Sequence, residues 1–270
     1  MKNNTAYRII RTVKTVVYTF ESPATLAVAS RLAESGKVSA VILQRPMHLR
    51  AQLALVRRRL SRHGLARVIN ELLFQIYYRL FLQRGDNRMR QLLELNTSRA
   101  RETLATSVEI FDVDSINSPE SQALLKRLAP DLVVMASREL IRPDVLKLAT
   151  IGFIGCHPGI LPDFRGAYAS FWAMHEGKTD KIGVSVYLAT AGIDTGPLVA
   201  ERVIAPRFGV KHFKVESERL ILEGTRELLD AIDQAEHGSL KTYTKPDARG
   251  PLYSLVGLTD YLRVARPRKQ

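Results

Sequence analysis

Two ionisable side chains, His157 and Asp194, each stand among glycines and prolines where an apolar run ends. His157 comes just after Ile151 to Ile154 and precedes Pro158 and Gly159; Asp194 follows the run Val184 to Leu188 and lies between Gly192 and Gly196. A residue before proline is held extended and glycine interrupts regular structure, so both side chains are expected at strand ends. Imidazole can exchange a proton near neutrality, and a carboxylate can orient it or balance its charge, which makes the two a candidate acid–base pair. Open α/β sheets keep their ligand sites where strands give way to loops.

Strands in a sheet must bring those ends together. Residues 13–20 (VKTVVYTF) read as a first strand from their β-branched and aromatic content. Ser22 and Pro23 then form an N-cap and first helical position, Gly36 ends that helix, and residues 38–43 give a second strand. This βαβ opening predicts a parallel sheet. Residues 106–113 read as another strand, Ser118 caps a helix over 120–128, and the unbroken apolar run Leu132 to Met135 is typical of a strand buried on both faces. An edge strand over 199–204 and one helix over 215–236 follow, the helix with Leu220, Ile221, Leu228, Leu229 and Ile232 for the core.

The 270 residues suffice for a large α/β domain with an appendage, and 46% hydrophobic with 25% charged residues describes a folded globular chain. The single Cys156 excludes an internal disulfide, and the sequence offers no Cys/His cluster for a structural metal. No apolar run is long enough to span a bilayer, and the N-terminus lacks the apolar core of a signal peptide, so a cytoplasmic location is expected. The net charge of +13 is uneven: from Arg45 to Arg101 there are thirteen arginines, no lysine and three acids, Glu71, Asp86 and Glu94. Within that stretch Leu65, Val68, Ile69, Leu72, Leu73, Ile76, Tyr77, Leu80 and Phe81 recur at helical spacing, with Gly64 and the Gly85-Asp86-Asn87 cluster expected to end helices. Such a helical insertion suits packing on the sheet or on a second copy of the chain in a homodimer. That packing is the favoured reading, and peripheral contact with an anionic membrane or a tRNA is the alternative.

The segment HPGILPDFRG from His157 to Gly166, followed by GIDTGPL with Asp194 thirty-seven residues after His157, resembles the signature of the folate-dependent formyltransferases, which include the methionyl-tRNA, glycinamide ribonucleotide and nucleotide-sugar N-formyltransferases. The resemblance implies an α/β fold of formyltransferase-like Rossmann type, a mostly parallel twisted sheet with flanking helices over residues 1–240. The basic helical insertion at about 49–101 is an addition to it, and 241–270 is expected as a short extension with no separate barrel domain. It further implies formyltetrahydrofolate as formyl donor, no metal, and His157 and Asp194 as the catalytic His and Asp. Met135, Arg138, Glu139, Leu140, Ile141 and Ile193 would line the folate pocket, and Arg165 and Gly166 would order the loop or reach substrate.

The family's third catalytic group is an Asn two residues before the His, and Gly155 stands there. Formyl transfer to an amine builds charge on the formyl oxygen, so a hydrogen-bond donor is missing. Another side chain could replace it, with Cys156, Ser137 and Ser170 as candidates. Alternatively, the enlarged pocket serves a divergent one-carbon or acyl reaction with a changed donor, or the chain is an inactive folate- or nucleotide-binding homologue. Cys156 as a nucleophile and Trp172 as a stacking contact are weaker readings than simple packing, and His175 reads as exposed rather than catalytic. No glycine-rich phosphate loop follows the first strand, which disfavours purine synthesis, and the tail is too short for the barrel that tRNA formyltransferases append. The expected acceptor is therefore a small or nucleotide-linked amine, an amino sugar or a hydroxylated diamino acid, with tRNA less favoured.

Overall fold

The computed structural model describes residues 12–137, 139–246 and 250–265, and the side chains of 49–51 are left aside. The chain runs β1 (Thr15–Phe20), α1 (Pro23–Glu34), β2 (Val38–Gln44), α2 (Leu49–Tyr77), a π-turn (Tyr78–Leu82), α3 (Gln83–Leu92), α4 (Thr97–Ser107) and β3 (Glu109–Val113). It continues through α5 (Pro119–Leu128), β4 (Leu132–Met135), α6 (Pro143–Leu146), β5 (Gly152–His157), β6 (Arg165–Gly166), α7 (Ala169–His175), β7 (Gly183–Leu188) and β8 (Leu198–Val203). The last elements are α8 (Phe213–Glu223), α9 (Thr225–Glu236), β9 (Leu252–Tyr253) and α10 (Leu258–Ala265).

Seven strands form one sheet in the order β3-β2-β1-β4-β5-β7-β8. The first five are parallel, and β7 and β8 add on antiparallel. Apolar residues cover both faces, with Val17, Val41, Val134 and Ile154 on one side and Val16, Tyr18, Ile42 and Val133 on the other. The helix starts read from sequence are built as capping chemistry requires: Ser22 Oγ accepts from Thr25 N–H and Ser118 Oγ from Ser121 N–H, each ahead of a proline at the first helical position.

Three boundaries differ from expectation. Thr106 and Ser107 finish α4, so β3 starts at Glu109. The helix expected over 215–236 is divided at Gly224, where an added Cβ would lie 2.3 Å from Cys156 Sγ, so the glycine permits α8 and α9 to cross closely over β5. Gly64 kinks α2 in a left-handed conformation (φ 77°), but Gly85 lies inside α3 against the His212 ring and ends nothing.

The segment after residue 240 folds back on the domain. Tyr243 bridges Leu198, β9 pairs with β6, and α10 packs on α2, where Arg67 reaches Asp260 at 2.7 Å. Among the described residues no helix is long and apolar enough to cross a membrane.

Candidate active site

His157 ends β5 and Asp194 sits in the loop after β7, and the antiparallel pairing of these strands brings the two together. Side chains alternate across a strand, so Gly155 and His157 share one face of β5, and their cross-strand partners Tyr187 and Ser185 share it with them. Buried His157 Nε2 lies 2.7 Å from Phe164 O; a carbonyl only accepts, so Nε2 carries the hydrogen. That leaves Nδ1 facing Asp194 Oδ2 at 3.6 Å, as an electrostatic neighbour rather than a hydrogen-bond partner.

Asp194 is tightly held. Its Oδ1 accepts the Tyr187 hydroxyl at 2.8 Å and its Oδ2 accepts Gly166 N–H at 2.9 Å. The backbone at Asp194 is left-handed (φ 49°), a conformation that a non-glycine residue keeps only where its surroundings impose it. Arg165 does much of the imposing: its Nε and Nη2 both donate to Ile193 O, at 3.0 and 2.8 Å, while Nη1 donates to Gly250 O at 3.1 Å. Arg165 thus ties the Asp194 loop to the returning tail.

Gly166 is required by space as well as by conformation. Its φ is 92°, and a Cβ there would lie 2.4 Å from Tyr253 O on the paired β9 strand. Gly166→Ala is expected to lower thermal stability by about 1–3 kcal/mol of strain and to weaken activity by moving the N–H that holds Asp194. Calorimetric melting of the variant, with turnover measured at a temperature where it remains folded, checks both effects. An unchanged melting temperature would mean that β9 yields at no cost.

Gly155 and Tyr187 form a complementary pair. A Cβ on Gly155 would meet Tyr187 Cε1, Cζ and Oη at 3.0, 3.1 and 3.1 Å, so the tyrosine ring occupies the space into which a side chain at position 155 would grow. Tyr187 is nearly buried, and burial, followed by the neighbouring Asp194 charge, holds its phenol protonated well above the usual range. A neutral donor is therefore fixed beside His157 and Asp194. Sequence reasoning passed over Tyr187 because an aromatic residue in a β-branched run reads as core; the missing side chain at 155 was the available clue.

The other candidate donors are engaged elsewhere. Ser137 Oγ donates to Glu139 O and accepts from Glu139 N–H, closing its own turn. Ser170 pairs with Ser217 in the interior. The Cys156 side chain belongs to the opposite face of β5, against Gly224, half-buried where the cavity borders it, and desolvation pushes its thiol up to about 12. Cys156→Ala is accordingly expected to keep turnover within about twofold, and the native thiol to resist iodoacetamide at neutral pH. Rapid inactivation by alkylation at Cys156 would contradict this placement. Trp172 packs on Phe171 and Tyr253, and His175 lies beside those rings on the same helix.

These groups open into a cavity of about 800 Å³. Its floor is Gly155, His157, Tyr187 and Asp194, one wall is Met135, Ser137, Leu140 and Ile193, and β9 with Ser254 closes another. Arg62 and His63 of α2 stand at its edge. A second recess of about 220 Å³ adjoins it, sharing Met135, Leu140, Ile193 and Asp194 and adding Ile141 and Gly192.

Of the residues expected to line a folate pocket, Met135, Leu140 and Ile193 line both spaces, and Ile141 lines the smaller one from a position rooted in the core. Glu139 also borders the smaller recess, but its carboxylate turns inward, accepting from Ser115 Oγ at 2.7 Å, Ile116 N–H at 2.9 Å and Tyr18 Oη at 3.4 Å. Its charge is thereby spent on anchoring the loop. Arg138 lies outside the described residues. Among the described residues no group of three or more His, Cys, Asp or Glu is placed to hold a metal ion.

Comparison with known proteins finds likenesses among formyltransferases. The Formyl transferase family matches residues 84–206, a stretch containing Gly155, His157, Arg165, Tyr187 and Asp194. A methionyl-tRNA formyltransferase of Dehalococcoides mccartyi (strain CBDB1) is 37% identical over 105 residues, covering 38% of this chain and 33% of the relative. The methionyl-tRNA formyltransferase of Pseudomonas entomophila (strain L48) is 32% identical over 145 residues, covering 53% and 46%. The chain thus spans less than half the length of either relative. In structure it resembles glycinamide ribonucleotide transformylase 1 from Symbiobacterium toebii, with TM-score 0.53 at 21% identity, covering 84% of this chain and 88% of that one. It also resembles a sugar N-formyltransferase from Shewanella sp. FDAARGOS_354, with TM-score 0.54 at 10% identity, covering 93% and 86%. At such identities these two likenesses concern the fold.

Proposed function

From the premise that this chain is a formyltransferase relative, we propose that it transfers a formyl group from formyltetrahydrofolate to an amine, with His157, Asp194 and Tyr187 as its chemical groups. The observation that carries this reading is the convergence of those three residues on the floor of one cavity, with Tyr187 filling the space left by Gly155. The adjoining recess fits the donor by its character: Met135, Leu140, Ile141 and Ile193 give apolar walls, and Ser137, Thr190 and Asp194 add polar groups to a lining suited to a heteroaromatic ring. The donor supplies the formyl carbon as electrophile and a nitrogen that leaves from it.

His157 is held in one tautomer by Phe164 O, so Nδ1 is the atom that accepts the proton shed by the acceptor's nitrogen and returns it when the leaving group departs. Asp194, 3.6 Å away, balances the positive charge that the imidazole then carries. As the proton arrives on the imidazole, the carboxylate's hold on the Tyr187 hydrogen weakens, and the phenol turns its O–H toward the formyl oxygen, where negative charge develops. Ser185 Oγ keeps the loop after His157 in register by accepting Leu161 N–H and donating to Gly159 O.

For the acceptor, Arg62, beside the His63 ring, gives the cavity a cationic edge that suits a phosphate-bearing amine, and a nucleotide-linked amino sugar combines both features. The test is tetrahydrofolate formation by the purified protein, with formyltetrahydrofolate and a panel of nucleotide-linked amino sugars, hydroxylated diamino acids and methionyl-tRNA. Acceptor-dependent formation supports the reading and selects the acceptor class; saturable folate binding without turnover on any acceptor would favour an inactive binding homologue.

A further inference from the structure

We propose that the outward face of α2 and the following π-turn is a docking surface for anionic lipid bilayers. This helix has two apolar faces. Val68, Phe74, Tyr78 and Leu82 point inward, where Phe74 is fully buried against Phe213 and Tyr261. On the opposite side Leu65, Ile69, Leu72, Leu73, Ile76 and Leu80 are between 45 and 68% exposed. At 100° per residue these six fall within one arc centred away from the buried stripe, and they run for about 22 Å along the axis. A helix apolar on both faces has an unmet partner on the outer one.

Charge identifies the partner. Arg57, Arg58 and Arg62 precede the stripe, Arg79 lies along it, and Arg84 and Arg88 follow it, all exposed. The two carboxylates between residues 52 and 92 are both buried and engaged: Glu71 with Arg59 and Arg67, Asp86 with Tyr78 and His212. Among the described residues, the outward apolar stripe is therefore flanked along the chain by exposed arginines, and the segment 52–92 offers no exposed carboxylate to offset them. A second copy packed two-fold on this face would bring arginines together without anions to pair them. A nucleic acid would match the arginines and leave the leucines and isoleucines in water. An anionic bilayer surface satisfies both, with the stripe among the acyl chains and the arginines at the headgroups. The stripe starts two residues beyond Arg62 and His63, which line the cavity, so docking holds the cavity edge near the lipid.

The test is flotation of the full chain with vesicles of phosphatidylglycerol and phosphatidylcholine against vesicles of phosphatidylcholine alone, alongside tRNA binding and molecular mass in solution. Binding to the anionic vesicles is expected to be roughly tenfold tighter or more than to neutral ones, and to weaken by a similar factor in Leu72→Gln/Ile76→Gln/Leu80→Gln and, separately, in Arg79→Glu/Arg84→Glu. The altered side chains are exposed, so circular dichroism of these variants should match the native chain. As a gain of signal, Ile76→Trp is expected to be quenched by brominated lipid while buried Trp172 is not. Absence of binding to anionic vesicles by the folded native chain overturns the proposal. So does binding that ignores the apolar substitutions, a stable dimer that those substitutions dissociate, or tRNA binding lost only with the arginines. Each readout is independent of formyl transfer, so failure here leaves the catalytic reading intact and failure there leaves this one.

Discussion

Asp194→Asn is expected to cut kcat for formyl transfer by roughly 100- to 10,000-fold, the usual range for losing a group that serves proton transfer. The amide keeps the shape of the carboxylate and can still accept Gly166 N–H through its oxygen, so the loop held by Arg165 should stay in place. What disappears is the charge facing His157 Nδ1 at 3.6 Å, and with it the means of stabilising an imidazolium in a site where His157 is almost enclosed. The result is therefore expected in kcat, with folate affinity and melting temperature near their native values. Single-turnover measurement of tetrahydrofolate release, beside equilibrium folate binding, separates the two. Near-native turnover in this variant would remove the His157–Asp194 pair from the chemistry and leave Asp194 a loop anchor alone.

Tyr187→Phe should lower kcat by roughly a hundred- to a thousandfold, about 2.7–4 kcal/mol, the magnitude found when one donor to a developing oxyanion is lost. Phenylalanine keeps the ring over Gly155 and removes only the hydroxyl that bonds Asp194. A purely structural tyrosine would show its loss in stability with kcat spared. Gly155→Asn supplies the stronger arm of the experiment. Alone it should fail, because its Cβ would press on the Tyr187 ring at 3.0–3.1 Å. Combined with Tyr187→Val, which vacates that space, the amide can enter, and the double variant should recover activity above either single change. Such non-additivity between directly opposed residues is the signature of a shared role. If both single changes and the pair lose activity independently, Tyr187 acts through packing.

On the proposed reading, the position of Gly155 also accounts for the absence of a polar side chain there, with the Tyr187 hydroxyl standing in for it. Cross-strand neighbours on one sheet face share a volume, and here the volume is assigned to the tyrosine on β7 instead of a side chain on β5. The hydroxyl that reaches the site comes from thirty-two residues further along the chain.

The local signals were legible because their physics is local. Ser22-Pro23 and Ser118-Pro119 announced helix starts through hydrogen bonds closed within three residues, and the buried strands were visible as β-branched runs. His157 and Asp194 could be placed at strand ends from the glycines and prolines around them, and the parallel sheet followed from the βαβ order. What the sequence alone left open depends on register and on contacts between distant segments. The inward turn of Glu139 depends on donors at Ser115 and Ile116, and the close approach of α8 to β5 on Cys156 facing Gly224. The passage of β9 over Gly166 has the same origin. The Gly155–Tyr187 exchange is the clearest case. Either residue alone is ordinary, and only the antiparallel pairing of β5 with β7, set by the packing of the whole sheet edge, places one in the space left by the other.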